Sequence, residues 1–260
     1  MITSDIDCDK ETLILSDDMI FYTIEGEGKY VGQRSVFMRL SMCNLTCIGF
    51  ASPDSPHGCD SFISWSVKNK VTFNDIFALM EKKDYINHLK AGAIWKITGG
   101  EPLIQQKQLI KLHRVFVVKY GFKPRVDFET NGTLMPDAYW YDDWKRTNAT
   151  FTVSPKLSSN GDPESKTYKP DVLSWHSNLN PASTFKFVIT RSEDIDEIWK
   201  KYVEDGEINM PKERIWFMPC AGSRKEHEAV AATVAEYAKH MDVNFSPRLH
   251  LVLWDKALKV

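Results

Sequence analysis

The chain has 260 residues, 43% hydrophobic and 26% charged, with a formal net charge of −2 at neutral pH. That length supports one large core, the near-zero charge argues against a nucleic-acid-binding surface spread over the whole protein, and no apolar run is long enough to span a bilayer. The acidic opening stretch argues against a basic targeting segment, so a cytoplasmic protein is expected.

Residues 1–18 read as a polar lead-in carrying Cys8, taken as a reduced bystander thiol. Met19 to Ile24 reads as a strand that runs into Glu25-Gly26-Glu27-Gly28, a turn whose glycines let backbone approach a ligand closely. Ser35 to Leu40 is a buried strand with Arg39 inside its apolar run. It delivers the chain into a loop, Met42 to Ser61, that holds Cys43, Cys47 and Cys59, three of the five cysteines. Thr72 to Lys90 has apolar residues at helical spacing, with Thr72 or Asn74 as cap. Ala93 to Thr98 is a strand ending in Gly99-Gly100-Glu101-Pro102, and Gln105 to Tyr120 a helix closed by Gly121. The alternation continues. Strands are predicted over 125–128, 149–153, 184–189, 214–218 and 248–254, and a helix over 192–204. Ser223 and Glu226 form a capping box for another helix. Asn160 to Pro170 reads as a mobile polar loop.

About seven strands separated by helices or long connections predict a mainly parallel sheet with crossovers. In such sheets ligands sit at the carboxyl ends of the strands. The cysteine loop, the GGEP turn, the Glu129-Thr130-Asn131-Gly132 turn, the Ser154-Pro155-Lys156 turn and Pro219 all fall there. One large domain, 19–260, with an enlarged loop over 43–59, is the expected organisation. Three thiolates on one loop hold three corners of an iron–sulfur cluster and leave one iron open. A structural zinc site of Cys43, Cys47, His57 and Cys59 satisfies the same local spacing about equally well.

Taken together and in order, FYTIEGEG (21–28), ITGGEP (97–102), ETNGT (129–133), VSPK (153–156), FKFV (185–188) and RLHLVLW (248–254) resemble the radical S-adenosylmethionine (radical SAM) superfamily. Within it they resemble the 7-carboxy-7-deazaguanine synthases of queuosine-precursor biosynthesis. The resemblance runs from about Met19 to the end. It implies an incomplete, modified (β/α) TIM-like barrel of the radical SAM type. Two positions depart from the family pattern. Eleven residues, where CxxxCxxC has two, separate Cys47 from Cys59, and Glu25 stands where glutamine is usual.

The resemblance implies a radical SAM lyase that converts 6-carboxy-5,6,7,8-tetrahydropterin to 7-carboxy-7-deazaguanine and ammonia. Cys43, Cys47 and Cys59 would ligate a 4Fe–4S cluster and Ser61 a magnesium ion. Gly99, Gly100, Glu101, Ser154, Lys156 and Thr190 would bind S-adenosylmethionine. Ile24, Glu25, Gly26, Arg39, Thr98 and Pro219 would meet the pterin, with Arg39 clamping its carboxylate. No side chain is assigned as catalytic, because the cofactor generates the radical. A homodimer reduced by flavodoxin or ferredoxin is implied, with no nucleic-acid or membrane partner. The GGEP and SPK turns have no role in a zinc module, and a radical SAM activase lacks the EGEG and RLH signatures as a set. A divergent relative that has lost turnover is the remaining alternative.

Overall fold

A computed structural model describes residues 6–141, 147–204 and 206–257, with the side chains of 18, 19, 63 and 64 left aside. Residues 1–5 of the expected lead-in lie outside the described residues. Nine strands form one sheet: β1 (Thr12–Ile24), β2 (Arg34–Leu40), β3 (Asn69–Thr72), β4 (Ile94–Gly99), β5 (Arg125–Thr130), β6 (Ala149–Val153), β7 (Ser183–Ile189), β8 (Ile215–Pro219) and β9 (Asn244–Phe245). The order is β3-β1-β2-β4-β5-β6-β7-β8-β9. From β2 to β9 every pairing is parallel, while β1 runs antiparallel to β2 and β3. The edges β3 and β9 are not joined, so the barrel is open.

Side chains alternate across a strand, and here the two faces have opposite chemistry. Val36, Met38, Leu40, Trp95, Ile97, Val126, Phe128, Phe151, Val153, Phe185, Phe187 and Phe217 are buried in one apolar core. Phe73, Ile76, Phe77 and Met80 of helix Phe73–Lys82 pack into it, as do Leu109, Leu112 and Phe116 of helix Gln106–Tyr120. Each such side chain contributes about 1.5–3 kcal/mol when fully buried. The intervening positions carry Arg39, Lys96, Thr98, Asp127, Glu129, Thr152 and Lys186, and so line the opposite, inner face. Because the strands are parallel, the cysteine loop and the GGEP, ETNG and SPK turns leave the sheet at one end.

The structure corrects four local expectations. The strand begins at Thr12, where Leu13 and Leu15 are fully buried, so the lead-in ends earlier than residue 18. The helix expected over 72–90 is two helices, Phe73–Lys82 and Tyr85–Lys90, broken where Asp84 takes a left-handed φ of 62°. Residues 249–254 form a helix and not a strand. A six-residue run that is apolar except for His250 fits either element, and only contacts decide; Leu251 packs inward while Val252 and Leu253 stay exposed. Residues 160–170, read as a mobile loop, include the helix Glu164–Thr167 and a fully buried Asn160. Among the described residues no helix is long and apolar enough to cross a membrane.

Candidate active site

The cysteine loop leaves β2 through Met42 at φ 74° and passes Cys47 at φ 51°. Left-handed backbone at non-glycine residues is unfavourable and persists only where surrounding contacts hold it. They do so here. Gly100 N donates to the Leu40 carbonyl and Glu101 N to the Met42 carbonyl, both at 2.9 Å. A Cβ on Gly100 would lie 1.9 Å from that Met42 oxygen, so glycine is required for the approach. Asn44 accepts from Asn131 Nδ2 at 2.9 Å and donates to Thr133 Oγ1 at 2.8 Å. Asp162 accepts from Thr46 N at 3.0 Å, Cys47 N at 2.7 Å and Asn160 Nδ2 at 3.1 Å. The supposedly mobile segment is therefore the clamp on the Cys43–Cys47 arm.

The Cys59 arm is fastened elsewhere. Asp60 pairs with Arg248, and Ser61 Oγ donates to Asp60 Oδ1 at 3.2 Å. Between the arms, Ser52 Oγ donates to Glu226 Oε2 at 3.3 Å and Asp54 pairs with Lys256. The His57 ring stacks on Phe62 with centroids 4.4 Å apart.

All five cysteines are free thiols. Burial pushes the Cys43 thiol up to about 11 and the Cys59 thiol up to about 12, and Cys47 adds electrostatically to both. Among the described residues no three histidine, cysteine or carboxylate side chains already converge as a metal-binding group. The donor set nonetheless fits an iron–sulfur cluster. Three sulfurs sit on one loop braced at both arms by groups other than the sulfurs, and Asn160 Nδ2 lies 3.6 Å from Cys47 Sγ as an N–H donor of the kind that tunes cluster sulfurs.

The neighbouring turns are tied together. Glu101 is fully buried and accepts from Leu103 N (3.0 Å), Thr130 Oγ1 (2.9 Å) and Asn131 N (2.7 Å), so its carboxylate joins the GGEP turn to the ETNG turn. Burial raises it to about 6. Ser154 N donates to the Thr130 carbonyl at 2.7 Å, and Lys156 Nζ donates to Ser154 O and Oγ at 2.8 Å each. Thr190 N and Oγ1 both donate to the buried Asp194, at 2.8 and 2.7 Å.

The inner face of the sheet holds a chain of buried charges. Lys96 Nζ is 3.1 Å from Glu25 Oε2 and 2.8 Å from Asp127 Oδ2, and these side chains are at most 4% exposed. Lys186 pairs with both Glu27 and Glu129, and Thr98 Oγ1 donates to Glu129 Oε2 at 3.2 Å. Arg248 joins Glu27 to Asp60. Burial opposes charge on Glu27, yet the Lys186 and Arg248 cations hold its carboxyl well below the usual range. The Arg39 guanidinium lies over the Phe21 ring, 5.0 Å from its centroid. Ile24 ends β1, Gly26 accepts from Leu249 N at 2.9 Å, and Pro219 ends β8 beside Ile189.

The cysteine loop, the GGEP and SPK turns and Thr190 lie at the carboxyl end of the parallel strands, and Glu25, Arg39 and Thr98 reach the inner face, whereas Ile24 ends the antiparallel β1 opposite Arg34, at the amino end of β2. Sequence reasoning missed Asn44, Lys96, Asp127 and Asp162. Lys96 and Asp127 carried a signal, each being a charge inside an apolar strand run. Asp162 carried none, because its role depends on a contact 115 residues away.

No family model matches the chain. It is 29% identical over 240 residues to the 7-carboxy-7-deazaguanine synthase of Pyrobaculum aerophilum, covering 92% of this chain and 94% of that one. It is 30% identical to the synthase of Halobacterium salinarum, covering 92% and 90%, and 30% identical to that of Hyperthermus butylicus, covering 90% of each. The crystal structure of QueE from Escherichia coli superposes with a TM-score of 0.58 at 21% identity, covering 92% and 95%. Streptococcus suis SuiB bound to the precursor peptide SuiA superposes at 0.51 and 16% identity, covering 81% of this chain and 48% of that one. Those two likenesses bear on the fold alone, an open TIM-like barrel. The length and identity of the sequence matches decide the family, and this chain belongs to the 7-carboxy-7-deazaguanine synthases.

Proposed function

We propose that this chain converts 6-carboxy-5,6,7,8-tetrahydropterin to 7-carboxy-7-deazaguanine with release of ammonia, in the formation of queuosine precursors. The observation that carries the reading is the three-thiol loop, braced against the GGEP and ETNG turns and by Asp162 at the carboxyl end of a parallel sheet. Cys43, Cys47 and Cys59 hold a 4Fe–4S cluster. Held by these three thiolates, the cluster with S-adenosylmethionine would supply radical chemistry at the substrate.

The chain's own residues bind and orient. The backbone of Gly99, Gly100 and Glu101 receives the methionyl amino group, with the Glu101 carboxylate fixing the turn that presents it. Lys156, already bent over Ser154, offers its cation to the methionyl carboxylate, and Thr190 borders the nucleoside. Arg39 clamps the pterin carboxylate with a planar fork. Ile24, Glu25 and Gly26 meet the pterin edge, and Thr98 and Pro219 close the pocket against water. Ser61 supplies a hard oxygen to a magnesium ion. The protein works in the cytoplasm as a homodimer, reduced by flavodoxin or ferredoxin.

The test is anaerobic reconstitution followed by product analysis with the carboxytetrahydropterin. The reading requires a brown protein with about four iron atoms per chain, bleaching with dithionite, and formation of the deazaguanine. Replacement of Cys59 by alanine should abolish iron uptake, whereas replacement of Cys8 should not. Stoichiometric zinc in a colourless protein would overturn the assignment.

A further inference from the structure

Three segments far apart in the chain meet on one guanidinium. Arg248 Nε donates to Glu27 Oε1 at 3.0 Å, Nη2 pairs with Asp60, and Nη1 donates to the Ala221 carbonyl. Its backbone N donates to His227 Nε2 at 3.2 Å. Its side chain is 8% exposed. Glu27 belongs to the turn that follows β1, Asp60 follows Cys59 directly, and Ala221 lies just beyond β8. No role assigned above requires this residue.

A guanidinium suits the task for a geometric reason. Its planar fork serves two carboxylates and a carbonyl at once, which an ammonium on a flexible stem cannot do. Removed from water, the cation is stable only with its partners present, so the three segments hold one another in register.

The long gap between Cys47 and Cys59 gives this register a purpose. Asp162 and Asn160 clamp the Cys43–Cys47 arm. That clamp has no hold on Cys59, twelve residues beyond Cys47. The intervening stretch docks instead on the C-terminal region, through Ser52 to Glu226 and Asp54 to Lys256. Gly222 N also donates to Glu226 Oε2 at 2.6 Å, so the acceptor of Ser52 is itself fixed.

We propose that Arg248 is a positioning residue for the third sulfur: by joining Asp60 to Glu27 it sets Cys59 against the substrate side of the barrel, so that the C-terminal segment closes the enlarged cluster loop. The proposal rests on the function given above and adds to it a residue that acts through Asp60 and Glu27, without touching cluster or substrate.

The experiment compares wild type with Arg248→Lys and Asp60→Asn. Both variants are expected to fold, since Lys186 still neutralises Glu27 and Asp60 is half-exposed to water. After anaerobic reconstitution, iron loss to a chelator is followed by the cluster absorbance, and kcat and KM are measured with the pterin. Each variant should take up iron yet lose it about 10-fold faster or more, the effect of one lost charged hydrogen bond. The double variant should be no worse than the worse single one. Arg248→Lys, which also loosens Glu27, should raise KM more than Asp60→Asn does. Phe116→Leu, a core substitution remote from the site, supplies a comparison of lowered melting temperature. Iron retention and KM at wild-type values in both variants would overturn the proposal, as would iron loss that tracks melting temperature alone, with Phe116→Leu on the same line. Failure of the wild type to hold iron would instead overturn the function itself.

Discussion

Lys96 is the cation on which the inner face most depends, and its removal makes a sharp test. Burial opposes its charge, but Asp127 and Glu25 raise its pKa well above the ordinary lysine value. In Lys96→Met both carboxylates lose their cation. Asp127 keeps Thr150 Oγ1 at 2.6 Å and Thr152 Oγ1 at 2.9 Å. Glu25 keeps only the Glu27 N–H, at 3.1 Å from Oε1, and is the group left stranded. Breaking a buried pair by removing one partner costs about 3–5 kcal/mol. At about 2–4 °C per kcal/mol for a chain of this size, the melting temperature should fall by about 6–20 °C. Adding Glu25→Gln removes the stranded charge and should recover more than half of the loss, whereas Glu25→Gln alone should cost about 1 kcal/mol. Burial already raises Glu25 above its ordinary value of 4.5, and without Lys96 it rises further. A carboxyl with a raised folded-state pKa penalises the fold above that pKa and not below the unfolded value. The deficit of Lys96→Met should therefore be larger at pH 7–8 and shrink as the pH falls towards 4.5. The assay is thermal and urea unfolding of the metal-free protein across that range. A Lys96→Met protein as stable as wild type, or one that Glu25→Gln does not rescue, would refute the reasoning.

Four further outcomes are expected. Gly100→Ala places a Cβ 1.9 Å from the Met42 carbonyl oxygen, and should cost about 1–3 kcal/mol and reduce iron uptake. Gly206→Ala, where nothing lies within 4 Å, should stay within about 0.5 kcal/mol by melting temperature. Asp162→Ala strips acceptors from Thr46 N and Cys47 N, and should cost about 1–3 kcal/mol with a matching loss of iron, read by metal analysis. Glu101 has a folded-state value of about 6 against 4.5 ordinarily. Its contribution to stability should fall by about 2 kcal/mol as pH rises through that window. Relative to Glu101→Gln, the wild type should lose that advantage between pH 4.5 and 7 in urea unfolding.

The mainly parallel sheet was legible because strands alternate with helices or long connections, and the period-2 runs around Val36, Phe128 and Phe185 mark strands strongly. The strand from Thr12 was missed although Leu13-Ile14-Leu15 is a continuous apolar run. Its polar flanks outweighed a short pattern. Residues 249–254 defeated the reading for another reason. Five apolar residues around His250 carry no clear period of their own, and their helix is set by packing of Leu251.

By itself, the sequence determined which residues hold sulfur, which turns carry glycine, and which strands are apolar, because these depend on residue type and near-neighbour spacing. Only the tertiary structure decided how charge is balanced. Glu25 with Lys96, Asp162 with Cys47, and Arg248 with both Glu27 and Asp60 are partners separated by 71 residues or more. A buried ion is tolerable only beside its counter-ion, and folding, not local sequence, brings the two together.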